Sequence, residues 1–102
     1  MKKLRGALAF FRNQGINIMA DFRIAVTVKL KEGVLDPQGQ AVEQGLHALG
    51  FHNAYDTRVG KMIWLKLSAH DKHQAQEIAS DMARKILANT VIEDFHVEVL
   101  AA

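Results

Sequence analysis

From Phe22 onward the chain alternates apolar and polar positions. Phe22, Ile24, Val26, Val28 and Leu30 share one side, and Arg23, Ala25, Thr27, Lys29 and Lys31 the other. A period of two, rich in β-branched residues, predicts a half-buried strand. Gly33-Val34-Leu35 reads as a turn and Asp36-Pro37 as a helix start. A carboxylate there caps free backbone N–H groups, and proline at the first helical position has no N–H to lose. Val42, Gly45, Leu46 and Leu49 then recur at i, i+3, i+4 and i+7, the stripe of an amphipathic helix. Gly50 closes that helix in the left-handed conformation, with Phe51 placed to fold back.

A strand is predicted over Ala54–Val59 and another from Lys61 or Met62 to Ser68, with Gly60-Lys61 between them as a tight hairpin. In the later strand Ile63, Leu65 and Leu67 face one way, and Met62, Trp64 and Lys66 the other. A second helix is predicted over Asp71–Leu87, with Ala75, Ile78, Ala79, Met82 and Ile86 along one side. Ser68 and Asp71 have capping-box spacing, and Asn89 is suited to leave the helix in the left-handed region. The last strand, Asp94–Leu100, points Phe95, Val97 and Val99 inward and His96 and Glu98 outward. The order β-α-β-β-α-β predicts an α+β fold, a ferredoxin-like two-layer sandwich. A core this small buries only ~60–65% of the unfolded chain's surface. With Met62 and Trp64 on the face opposite the core, the domain is expected to be oligomeric.

Composition narrows the function more than the fold. At 102 residues the chain holds one domain. It has no cysteine, which excludes a disulfide scaffold, a thiolate zinc site and a cysteine nucleophile. No stretch approaches the ~20 apolar residues of a membrane span. Its net charge of +2 is unevenly placed. Residues 1–20 carry Lys2, Lys3, Arg5 and Arg12 without an acid, leaving 9 basic against 11 acidic residues over 21–102. The nucleic-acid signal therefore belongs to a basic N-terminal extension, 1–20, and not to the domain, 21–102. The extension opens like a signal peptide, but Arg12-Asn13-Gln14 cuts its apolar run Ala7–Phe11 short. Its acid-free character would suit a transit peptide, yet it has neither Ser nor Thr. Met19 is expected to be the working start, with the extension upstream of it.

Candidate chemistry is sparse. His70 and His73 are three apart near a helix start, and His47 and His52 flank a helix end. Neither pair has a third ligand in a recognisable pattern, so all are read as solvated helix positions. Ser68, Ser80, Thr27, Thr57 and Thr90 have no nucleophile-elbow context. Glu93-Asp94 reads as a solvated strand start. Arg58-Val59-Gly60-Lys61 places two cations around a glycine. That arrangement could hold a phosphate or an acidic partner, but a hairpin tip with solvated charges is the better reading, and it lacks the run of a P-loop. The strand from Lys61 to Leu67 has one Trp and no pattern of stacking aromatics for RNA. Residue types alone describe a small binding or subunit domain.

Several segments together resemble the PurS family, small subunits of phosphoribosylformylglycinamidine (FGAM) synthase. They are Val26-Thr27-Val28-Lys29-Leu30-Lys31, Gly33-Val34-Leu35-Asp36-Pro37-Gln38-Gly39, Ala48-Leu49-Gly50-Phe51, Arg58-Val59-Gly60-Lys61 and Asn89-Thr90-Val91-Ile92-Glu93-Asp94. Their order and spacing from about Phe22 to Val99 carry the resemblance. It departs at Thr90, where the family generally has proline, and in the N-terminal extension.

The resemblance implies a non-catalytic subunit in de novo purine (IMP) biosynthesis. Such a subunit bridges a PurQ-type glutaminase and a PurL-type ATP-dependent synthetase and aids ammonia transfer between them. It implies a cytoplasmic homodimer or tetramer, with no nucleic acid and no membrane among its partners. No cofactor is expected on this chain, since the ATP, Mg and glutamine belong to the complex. Asp36, Pro37 and Gly39 at the helix start, with Arg58, Gly60 and Lys61 at the tip, are the expected docking residues. Met62 and Trp64 are assigned to self-association. A free-standing regulatory domain that binds a small ligand at a dimer interface is the alternative.

Overall fold

The structure is a computed structural model and describes residues 19–101. The basic extension, and with it the expectation about Met19 as the start, lies outside the described residues save for Met19 and Ala20. Three strands form one antiparallel sheet: β1 (Ala20–Leu30), β2 (Lys61–Ala69) and β3 (Glu93–Ala101), in the order β2-β1-β3. Each matches a predicted strand to within two residues. In register, Ile24 lies opposite Leu65 and Val99, and Val26 opposite Ile63 and Val97. One face is thereby apolar over most of its length, with Lys61 and Glu93 at the end beside Val28 and Leu30. Its centre is the driest part of the molecule, with Ile24, Val26 and Val28 at 0–1% exposure.

Helix α2 (Lys72–Met82) covers that face. Ala75 and Ala79, with Ala83 just beyond, are fully buried, and their small side chains let the helix backbone approach the sheet. Asp71 caps the helix by accepting from Gln74 N–H at 2.7 Å, while Gln74 Oε1 accepts from His70 N–H. The capping pair is therefore Asp71 and Gln74. Ser68, expected to cap, instead donates its hydroxyl to Asp21 Oδ1 across the sheet. After Met82 the helix widens into a π turn, Ala83–Leu87. The wider turn inserts a residue into the period, so Leu87 continues the inner line and Ile86, expected in the core, is 81% exposed. Asn89 is not left-handed; the chain leaves through extended Ala88. Asn89 O instead accepts from both Ile92 and Glu93 N–H, and these bonds close the link into β3 at Thr90.

The architecture is the two-layer α+β sandwich of ferredoxin-like type, with β1, β2 and β3 in the places of that fold's first, third and fourth strands. Two parts of the expectation change. The segment Ala54–Val59 is extended but pairs with no strand, and no hairpin forms at Gly60-Lys61. Its Thr57 and Val59 N–H groups are taken by side-chain carboxylates, which removes them from any ladder. Helix α1 (Pro37–Ala48) also contributes nothing to the core. Val42 and Leu49 of its apolar stripe are 47% and 77% exposed. Helix and extended segment together form an arm projecting from the sheet. The arm ends as predicted, with Gly50 at φ 97° and Phe51 N–H returning to Leu46 O at 2.9 Å.

Candidate partner-docking site at the base of the arm

Asp36 organises this region. Its Oδ1 accepts from Gly39 N–H at 2.9 Å, the capping bond that starts α1, and its Oδ2 accepts from Val59 N–H at 2.8 Å. One carboxylate thus joins the helix start to a segment 23 residues later. Four residues along, Glu43 Oε1 accepts from both the N–H and the hydroxyl of Thr57, at 3.1 and 3.0 Å. His47 Nε2 donates to the Ala54 carbonyl at 2.7 Å. Gly39, Glu43 and His47 lie at i, i+4 and i+8, one line along the helix, and that line clamps the extended segment. The spacing is visible in the sequence, yet nothing there singles out Glu43, and His47, read there as a solvated position, is instead half-buried and bonded.

The predicted docking residues divide into two groups. Pro37, Arg58, Gly60 and Lys61 are exposed, as a docking surface requires. Asp36 and Gly39 are buried, contrary to the exposure their turn chemistry implied. Asp36 is consumed by its two backbone bonds, and Gly39 lies so close to Thr57 that a Cβ would overlap the carbonyl oxygen. Both shape the surface from beneath. Gly60 has a comparable constraint, since a Cβ there would stand 2.7 Å from Val28 O. Arg58 Nη1 donates to Val34 O at 2.6 Å, tying the turn before α1 to the tip, and Nε lies 3.8 Å from Asp56 Oδ1. Lys61, Lys29, Gln38 and Glu93 rim a shallow hollow above Asp36. On the opposite face of the sheet Met62 and Trp64 are 45% and 68% exposed, beside Thr27 and Ala25 of β1.

Electrostatics follow from these bonds. The Gly39 and Val59 N–H groups hold the Asp36 carboxyl below its usual range, against a smaller opposing effect of burial and with help from the Arg58 charge. The Thr57 N–H and hydroxyl do the same for Glu43. A carboxyl whose folded pKa is depressed contributes stability in full above its unfolded pKa of about 4 and loses it as pH falls through the folded value. The arm is therefore expected to be clamped at neutral pH and to loosen in acid. Amide shifts of Gly39, Thr57 and Val59 should titrate together with a midpoint below about pH 4, the unperturbed carboxyl value. A midpoint above that value would contradict the clamp.

Among the described residues no group of three or more His, Asp or Glu could hold a metal. No described helix is long and apolar enough to cross a membrane. The region offers a partly cationic surface, with Arg58 and Lys61 exposed.

The family of PurS subunits of phosphoribosylformylglycinamidine (FGAM) synthase matches residues 23–101, which hold the arm, α2 and all of the sheet but the first three residues of β1. The chain belongs to the PurS family. The PurS subunit of Bacillus subtilis is 42% identical over 78 residues, which cover 76% of this chain and 92% of that protein. Two solved PurS structures agree in fold. That of Methanocaldococcus jannaschii, a subunit of formylglycinamide ribonucleotide amidotransferase, superposes with a TM-score of 0.70 at 33% identity, covering 79% of this chain and 98% of that one. A chain in the structure of PurLQS from Thermotoga maritima gives 0.73 at 32% identity, covering 80% of this chain and 100% of that one. The PurS match includes the segments 33–39 and 58–61, so the clamp at the arm's base lies within the shared region.

Proposed function

We propose that this chain is the non-catalytic small subunit of a phosphoribosylformylglycinamidine synthase, bridging a glutaminase of PurQ type and an ATP-dependent synthetase of PurL type in purine biosynthesis. The observation that carries this reading is the likeness over the full length of a chain in a structure of PurLQS. The absence of cysteine agrees with leaving glutamine hydrolysis to another subunit. ATP, magnesium and glutamine are used by the assembly, which works in the cytoplasm. This subunit changes no bond.

Its contribution is spatial. Ammonia released from glutamine is nucleophilic only while neutral, and bulk water would protonate and dilute it. A subunit that holds two active sites against one enclosed path keeps its effective concentration high. Pro37, Arg58, Gly60 and Lys61 are the contacts to the synthetase, presented by the clamp through Asp36 and Gly39. Met62 and Trp64 serve self-association through the outer sheet face.

Replacing both Arg58 and Lys61 with alanine tests the assignment. Glutamine-dependent turnover in the reconstituted assembly should fall at least tenfold at submicromolar subunit concentration, a loss on the order of 1.4 kcal/mol in association. Ammonia-dependent turnover should not change. Lys61→Glu alone should show the same direction, since no hydrogen bond of Lys61 side chain holds the arm. Undiminished assembly of both variants would overturn the docking surface.

A further inference from the structure

The outer face of the sheet carries an arrangement that neither the core nor the bridging role uses. Arg23 of β1 lies directly opposite Lys66 of β2, and both are exposed. Like charges that face each other across a strand pair are destabilising. Among the described residues neither cation has a salt-bridge partner; the ion pairs there belong to Arg58, His73, Arg84 and Lys85. Glu98, on the same face of β3, lies opposite Ala25 and so falls outside the Arg23–Lys66 row.

Two further observations meet at the same place. Trp64, the one tryptophan of the chain, is 68% exposed on this face, next to Lys66 in its line of side chains. Beside Arg23 the ladder between β1 and β3 slips: Ile24 pairs with Val99 and Arg23 with Ala101, which leaves Leu100 as an extra residue. A bulge of this kind bends its strand and re-aims a side chain. Leu100, Trp64, Arg23 and Lys66 together line one shallow hollow of about 380 Å³. Small-ligand sites begin at about 300 Å³ and combine an apolar lining with a few placed polar groups.

We propose that this hollow binds a nucleoside monophosphate, its base stacked on Trp64 and its phosphate held between Arg23 and Lys66. A phosphate dianion turns the repulsion between the two cations into a pair of charge-assisted bonds. Lys66 is two strand residues from Trp64, about 7 Å, a reach that one sugar provides between a base and its 5′-phosphate. An exposed indole is a stacking platform for any base, and a purine covers more of it than a pyrimidine does. The hollow offers one aromatic ring and one cation pair, so it fits one nucleotide. A strand of RNA would need further rings, and the next row across β1 and β3 holds Ala25 and Glu98. The site is independent of Arg58, Lys61 and the bridging role. Trp64 is shared with the self-association assigned to this face, so the nucleotide and a second copy compete for it.

With a single tryptophan in the chain, indole fluorescence reports occupancy directly. Titration of AMP into the full chain at submicromolar protein should quench it saturably, with half-saturation below about 1 mM. Adenosine and ribose 5-phosphate each carry half of the recognition and should compete roughly tenfold less well. Lys66→Gln should weaken AMP by a similar factor, leave adenosine unchanged, and not lower the melting temperature, since it removes a repulsion. No saturable quenching by AMP, or equal AMP affinity in the parent and in Lys66→Gln, would overturn the site. So would an oligoadenylate bound ~100-fold more tightly than AMP, which would mark a nucleic-acid surface instead.

Discussion

Replacing Gly39 with alanine is expected to destabilise the protein by about 2 kcal/mol, although alanine is the better helix former by ~1 kcal/mol. A Cβ at residue 39 would overlap the Thr57 carbonyl oxygen and stand 2.9 Å from Asp36 Oδ2. Neither neighbour can yield cheaply, because one is backbone and the other is the carboxylate that starts the helix. The extended segment must therefore lift off α1, and the Glu43 and Asp36 bonds to Thr57 and Val59 go with it. Thermal unfolding should show a fall of roughly 10 °C for a domain of this size. Amide exchange at Thr57 and Val59 should accelerate at the same time. A melting temperature equal to that of the parent would show that the arm is not packed at its base as described.

The second large effect belongs to Asp36→Ala. The substitution removes the helix cap and the only bond to the Val59 amide in a single step. It leaves the buried Gly39 N–H and the half-buried Val59 N–H without an acceptor, the expensive half of a lost hydrogen bond. Asp36→Asn should do nearly as badly, because its amide NH₂ would face one of two donors. Both variants should lower the melting temperature by roughly 5–10 °C. Because the arm presents Arg58 and Lys61, both should also depress glutamine-dependent turnover of the assembly while sparing ammonia-dependent turnover. Loss of both activities together would point instead to a general failure of the assembly.

Much of this fold is legible in the sequence because its signals are local. The alternation in β1 and β2 assigns their faces correctly, down to the opposed exposures of Trp64 and Leu65. Asp36, Pro37 and Gly50 mark both ends of α1. What escapes has a nonlocal cause in each case. Residues 54–59 carry ordinary strand propensity, but their amides are claimed by carboxylates 14 and 23 residues earlier. Ile86 is turned outward by a π turn that no composition signals. The stripe of Val42, Leu46 and Leu49 announces an apolar face, yet Val42 and Leu49 stand exposed because the helix lies off the sheet. The site divides in the same way. Arg58 and Lys61 are readable as exposed cations, while the burial of Asp36 and Gly39 depends on a segment that returns from far along the chain.

The most direct test of the bridging account is turnover in a reconstituted mixture of synthetase and glutaminase subunits, with glutamine, ATP, magnesium and formylglycinamide ribonucleotide. Adding this chain should switch on glutamine-dependent product formation and leave ammonia-dependent formation by the large subunit unchanged. If the other two subunits bind each other and pass ammonia equally well without it, the chain does not bridge them.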